Sequence, residues 1–188
     1  MKIQNLKVNY DDREVGTLAL YKDYFAAFQY SKEWLETGFS ISPFSLPLKE
    51  DLFIPKIEPF EGLFGVFNDS LPDGWGRLLV DRLMLKNKIN PANLGNLERL
   101  SIVGDSGMGA LSYKPMADIE NNVINLDLDE LCIECSNLLN TEYSSELDEL
   151  FILGGSSGGA RPKILTTIED KDYIIKFHSK EDNKNIGK

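Results

Sequence analysis

The stretch Gly154-Gly155-Ser156-Ser157-Gly158-Gly159 sets four glycines and two serines side by side, and Ala160-Arg161-Pro162-Lys163 follows it. Glycine loses more conformational freedom on folding than any other residue, so a run like this ends a regular element and turns the chain. It lies between two apolar runs, Leu150-Phe151-Ile152-Leu153 and Lys163-Ile164-Leu165. A further strand-type run, Tyr173-Ile174-Ile175-Lys176-Phe177, carries a lysine near its end. The order predicts a strand, a glycine turn, a strand and then a lysine. Small residues leave backbone N–H groups clustered and open, and with two hydroxyls they suit phosphate oxygens.

The loop fits neither strict phosphate signature. Ala160-Arg161 follows Gly159, which departs from G-x-x-x-x-G-K-[ST]. Ser156 stands at the middle glycine position of G-x-G-x-x-G. Taken alone, such a loop is more often a plain flexible turn. Lys176 adds weight, because alternate strand side chains face opposite ways and Ile175 and Phe177 point away from it. It can then project over the loop toward phosphate charge. The other reading of Lys176 is a solvent-facing lysine on an edge strand.

Charge narrows the function classes. The chain has 30 acidic and 20 basic residues and a formal charge of -10. Phosphate contacts need clustered Lys and Arg, so direct nucleic-acid binding is not expected. No apolar run is long enough to span a membrane. The N-terminal Met1-Lys2-Ile3-Gln4-Asn5-Leu6-Lys7-Val8 lacks the apolar core of a signal peptide. A cytoplasmic location is the default expectation. Cys132 and Cys135 form a lone C-x-x-C, whereas a zinc site usually takes four ligands and the single histidine, His178, is distant. Leu128, Leu131, Cys132, Cys135, Leu138 and Leu139 repeat at helical spacing, so both thiols are expected reduced, on a helix and structural.

Along the chain, Val8-Tyr10 and Val15-Leu20 flank a polar turn and predict a hairpin, with Tyr24-Tyr30 as a third strand. Trp34-Leu35 opens a short helical turn. Pro43, Pro47, Pro55 and Pro59 predict an extended loop with short edge strands. A strand is expected over Phe60-Phe67, then a turn at Pro72-Asp73-Gly74. Trp75, Leu78, Leu79, Arg82 and Leu83 follow at helical spacing. Asp73, Arg77 and Asp81 read as capping and a solvated helix face. A second helix begins at Asn90-Pro91, and a glycine-rich turn leads into a strand near Leu111-Lys114. The domain boundary is expected between 115 and 126, where composition changes.

Three blocks, in order, carry a family resemblance. They are Phe67-Asn68-Asp69-Ser70-Leu71-Pro72-Asp73-Gly74-Trp75-Gly76-Arg77, then Gly109-Ala110-Leu111-Ser112-Tyr113. The last is Ser156-Ser157-Gly158-Gly159-Ala160-Arg161-Pro162-Lys163 with Ile174-Ile175-Lys176-Phe177. With these the chain resembles the HipA-like serine/threonine kinases of bacterial toxin–antitoxin systems. The resemblance implies an ATP- and Mg2+-dependent protein kinase whose family phosphorylates aminoacyl-tRNA synthetases. It also implies a helix-turn-helix antitoxin of the HipB type as partner, tethering the kinase to operator DNA. By position, Gly158, Gly159, Ala160, Arg161, Pro162 and Lys163 would line the ATP phosphates, and Lys176 would contact nucleotide. Ser156 matches the serine that the family autophosphorylates; a phosphate there would repel nucleotide phosphate and reorganise the loop.

The implied fold is α+β. A small β-rich N-terminal subdomain with helices spans 1–116, and a helix with the first strands of a kinase-like N-lobe spans 117–188. No H-R-D-like or D-F-G-like segment occurs in the sequence. Phosphoryl transfer draws on a base and on metal-holding residues, so no catalytic residue or metal ligand is assigned to this chain. The expectation is the N-terminal portion of such a kinase, truncated and inactive alone. The alternative is a stand-alone binding module that docks on a separate kinase subunit or antitoxin and regulates it.

Overall fold

The structure is a computed structural model and describes residues 2–107, 109–117, 128–140, 147–155 and 157–177. The chain forms two compact units, one of Met1–Leu71 with Ala92–Ile119, the other of Pro72–Pro91 with Glu120–Lys188. It therefore crosses between units three times, and only the last crossing lies within 115–126.

The first unit is built on an antiparallel sheet of β1 (Asn5–Tyr10), β2 (Arg13–Tyr21), β3 (Phe25–Tyr30) and β4 (Leu111–Lys114), in the order β3-β2-β1-β4. Period-two alternation sets its buried face: Leu6 and Val8 are buried while Asn5 and Lys7 are exposed. Leu6 pairs with Leu18, Leu18 with Phe28, and Val8 with Tyr113, so the apolar positions line up across the sheet. Short helix α1 (Lys32–Thr37) is capped by the Ser31 hydroxyl, which accepts from the Trp34 N–H, and it buries Trp34. Leu97 and Leu100 of α4 (Asn96–Val103) join the same core. The proline-rich loop makes two isolated bridges, Phe28 with Phe53 and Ser42 with Leu46.

In this unit the strand expected over Phe60-Phe67 is not formed. A turn with Gly62 at φ +80° is followed by α2 (Gly65–Asn68). Gly62 and Gly65 remove the side chains a strand packs with, and the left-handed turn at Gly62 ends extended structure.

The second unit contains α3 (Gly74–Lys86), α5 (Leu128–Leu139), α6 (Leu147–Gly154) and a two-stranded sheet of β5 (Lys163–Ile168) and β6 (Lys171–Lys176). Its core gathers Trp75 and Leu79 of α3, Leu131, Cys135 and Leu138 of α5, Leu147 and Leu150 of α6, then Ile164 and Phe177. The cysteine helix forms as its spacing predicts, and among the described residues both cysteines are free thiols. Burial, with lesser contributions from Cys132 and Glu134, pushes the Cys135 thiol up to about 12. Lys86 of α3 pairs with Asp148 of α6 at 2.8 Å.

Leu150-Phe151-Ile152-Leu153 is helix rather than the expected strand. A four-residue apolar run reads equally as either element. Leu147 extends it to i, i+3 and i+7 spacing with Leu150 and Gly154, all buried, and Asp148 and Glu149 suit the positive end of the helix dipole. The glycine loop is thus a helix-to-strand connection. No helix among the described residues is long and apolar enough to cross a membrane.

Candidate functional site

The loop leaves α6 through a tight end. The Gly155 N–H donates to the Phe151 carbonyl at 2.7 Å and the Ser157 N–H to the Gly154 carbonyl at 3.0 Å. The Ser157 hydroxyl also donates to Gly154, and the residue is fully buried. Of the two loop serines, Ser157 therefore turns inward as part of the helix end. Ser156, the expected phosphorylation position, and His178 lie outside the described residues.

The start of α3 grips the rest of the loop. The Trp75 N–H donates to the Gly159 carbonyl at 2.9 Å, and the Asp73 carboxylate accepts from the Gly159 N–H. The Trp75 indole N–H donates to the Lys163 carbonyl at 3.0 Å. Two glycines make this approach possible. A Cβ on Gly76 would stand 2.3 Å from the Ser157 carbonyl oxygen, and one on Gly74, at φ +42°, would stand 2.6 Å from that of Gly159. At the far end the Phe177 N–H donates to the Pro162 carbonyl at 2.9 Å, closing the base of the hairpin.

Lys163 and Lys176 are direct cross-strand partners on β5 and β6. Side chains so paired have Cβ atoms about 4.5–5.5 Å apart, and like charges there repel. Ile164 pairs with Ile175 on the opposite face, where the core lies, so both lysines share the face away from it. Lys176 is exposed. Lys163 is buried, and its ammonium donates to the carbonyls of Gly158 and Gly159. Burial first and Lys176 second hold its pKa below the usual lysine value, while Asp73 pulls the other way. Gly158, Gly159, Ala160 and Arg161 form the exposed arc between α6 and β5, and Pro162 is buried at its end.

The structure thus brings together Gly158, Gly159, Lys163 and Lys176, and it adds Asp73 and Trp75, whose sequence pattern reads only as capping and helix packing. Gly74 and Gly76 on either side of Trp75 were the available signal, since glycines in the first turn of a helix suit close backbone approach. Among the described residues no group of three His, Cys, Asp or Glu side chains forms a metal site.

A family model described as HipA N-terminal domain matches residues 6–114, more than half of the chain. The chain belongs to the HipA family. No curated protein matches it. The matched span holds the first unit's sheet and, from the second unit, the Asp73–Trp75 grip. The glycine loop and Lys176 of this HipA-family chain lie beyond it.

Proposed function

We propose that the second unit holds the phosphates of ATP at the loop 158–163 and Lys176, as the nucleotide-binding start of a HipA-type serine/threonine kinase. The observation that carries this reading is the Lys163–Lys176 pair beside the glycine loop. Two ammonium groups held opposite each other repel, and an anion at the loop turns that repulsion into attraction. Exposed Gly158 and Gly159 let phosphate oxygens approach the backbone closely. Ser156 is the position at which phosphorylation would oppose nucleotide by charge. Membership of the HipA family supports the kinase reading. A helix-turn-helix antitoxin of the HipB type is the proposed partner, and the cytoplasm the proposed location.

Transfer of the γ-phosphoryl group needs a base and metal-holding carboxylates beyond what the loop supplies. The 188 residues by themselves are therefore proposed to bind nucleotide without transferring it. Incubation of the purified chain with γ-labelled Mg-ATP, beside an equilibrium binding measurement, tests both halves. Saturable binding without label on any protein is expected. Absence of binding contradicts the nucleotide site, and label on the chain or an added protein contradicts inactivity.

A further inference from the structure

Asp73 occupies the N-cap position of α3, yet its side chain makes no capping bond to that helix. Its Oδ1 accepts from the Gly159 N–H instead, and a Cβ on the neighbouring Gly158 would lie 3.2 Å from the same oxygen. The loop carbonyls are likewise engaged, that of Gly159 by the Trp75 N–H and by the Lys163 ammonium at 3.3 Å, and that of Gly158 by the same ammonium. Two of the groups that would attract an anion to this arc, the Gly159 N–H and the Lys163 ammonium, already have internal partners. The N–H faces a carboxylate, and the lysine charge is turned into the loop. A carboxylate oxygen and a phosphate oxygen cannot share one N–H, and two anions side by side repel.

We propose that Asp73 is a built-in competitor of the phosphate site, a carboxylate that occupies the Gly159 N–H until an incoming phosphate displaces it. This rests on the reading of the loop as a nucleotide-phosphate site. Asp73 sets how strongly the site binds anions. The Trp75–Gly159 bond is made by backbone atoms and does not depend on the carboxylate. The loop therefore keeps its place when Asp73 swings away.

The test compares the wild-type chain with Asp73→Asn, which keeps the size of the side chain and an acceptor oxygen but loses the charge. Asp73→Ser serves as a second variant that removes the carboxylate altogether. Mg-ATP and inorganic tripolyphosphate are titrated into each, and the Gly159 amide is followed by nuclear magnetic resonance. Exchanging a charge-assisted bond for a neutral one corresponds to about five- to tenfold tighter binding of both probes. That gain, with a shifted Gly159 amide in the ligand-free variant, supports the proposal. Equal or weaker binding by the variants, with wild-type binding intact, overturns it and leaves the nucleotide site standing. Failure of every protein to bind either probe removes the nucleotide site, and the competitor with it.

Discussion

The indole N–H of Trp75 donates to the backbone carbonyl of Lys163 at 3.0 Å, a buried bond across 88 residues of sequence. It anchors the first residue of β5 to the first turn of α3. Trp75→Phe keeps most of the ring's packing and leaves a buried carbonyl without that donor. The expected cost is about 1–3 kcal/mol. Hydrogen exchange read by mass spectrometry should show faster exchange over 163–177, with β1 to β3 unchanged.

Gly76→Ala sets two effects against each other. Alanine favours a helix over glycine by about 1 kcal/mol. The new Cβ would meet the Ser157 and Gly155 carbonyl oxygens at 2.3 Å and 2.8 Å, and backbone cannot step aside as a flexible side chain can. Overlap wins, and a net loss of about 1–3 kcal/mol is expected. Trp34 and Trp75 are the only two tryptophans and lie in different units, so a Trp34→Phe background lets Trp75 fluorescence report urea unfolding of the second unit. Gly109→Ala, in the first unit with nothing within 4 Å of the new Cβ, should change stability by less than about 0.5 kcal/mol when followed by Trp34 fluorescence in a Trp75→Phe background.

In the first unit, Glu98 accepts from the Ile3 N–H at 2.9 Å through one oxygen and from the Gly95 N–H at 3.1 Å through the other. Glu98→Ala removes both acceptors, and hydrogen bonds to charged groups contribute about 1.5–3 kcal/mol each. Glu98→Gln keeps one acceptor and turns an amide donor toward the second N–H, so it should fall between wild type and alanine. Urea unfolding followed by Trp34 fluorescence, in a Trp75→Phe background, checks that order.

Alkaline pH should loosen the second unit through Cys135. Unfolded, this thiol loses its proton near its ordinary value of 9.0; folded, it holds it to about 12. Its contribution is complete below pH 9 and is lost progressively as pH rises toward 12. Lys163, held below its ordinary 10.5, acts in the opposite sense, because the folded state releases its proton first. Comparing the pH slope of unfolding in wild type and Cys135→Ala isolates the thiol. The alkaline decline should be shallower in the variant, and equal slopes would contradict the assignment.

The elements legible in the sequence are those whose pattern is long enough to define one period. Leu6 and Val8 alternate with exposed neighbours, and Leu131, Cys135 and Leu138 keep helical spacing over two turns. Leu150 to Leu153 is too short to separate helix from strand, and its helical partner Leu147 sits beyond the run. The loop and Lys176 were visible as composition. The Asp73–Gly159 contact was not, because it joins residues 86 apart and is set by how α3 packs against the hairpin. The burial of Lys163 was hidden for the same reason, since its strand partner Lys176, the loop carbonyls and Asp73 define its surroundings.

The most direct test of the central claim is a titration of the chain with Mg-ATP, followed at the backbone amides of residues 157–163, for wild type and Lys176→Ala. Saturable shifts are expected at Gly158, Gly159 and Lys163, with an affinity at least about tenfold weaker in the variant, the loss of one charged phosphate contact. Unmoved loop amides, or equal affinity in the two proteins, would contradict it.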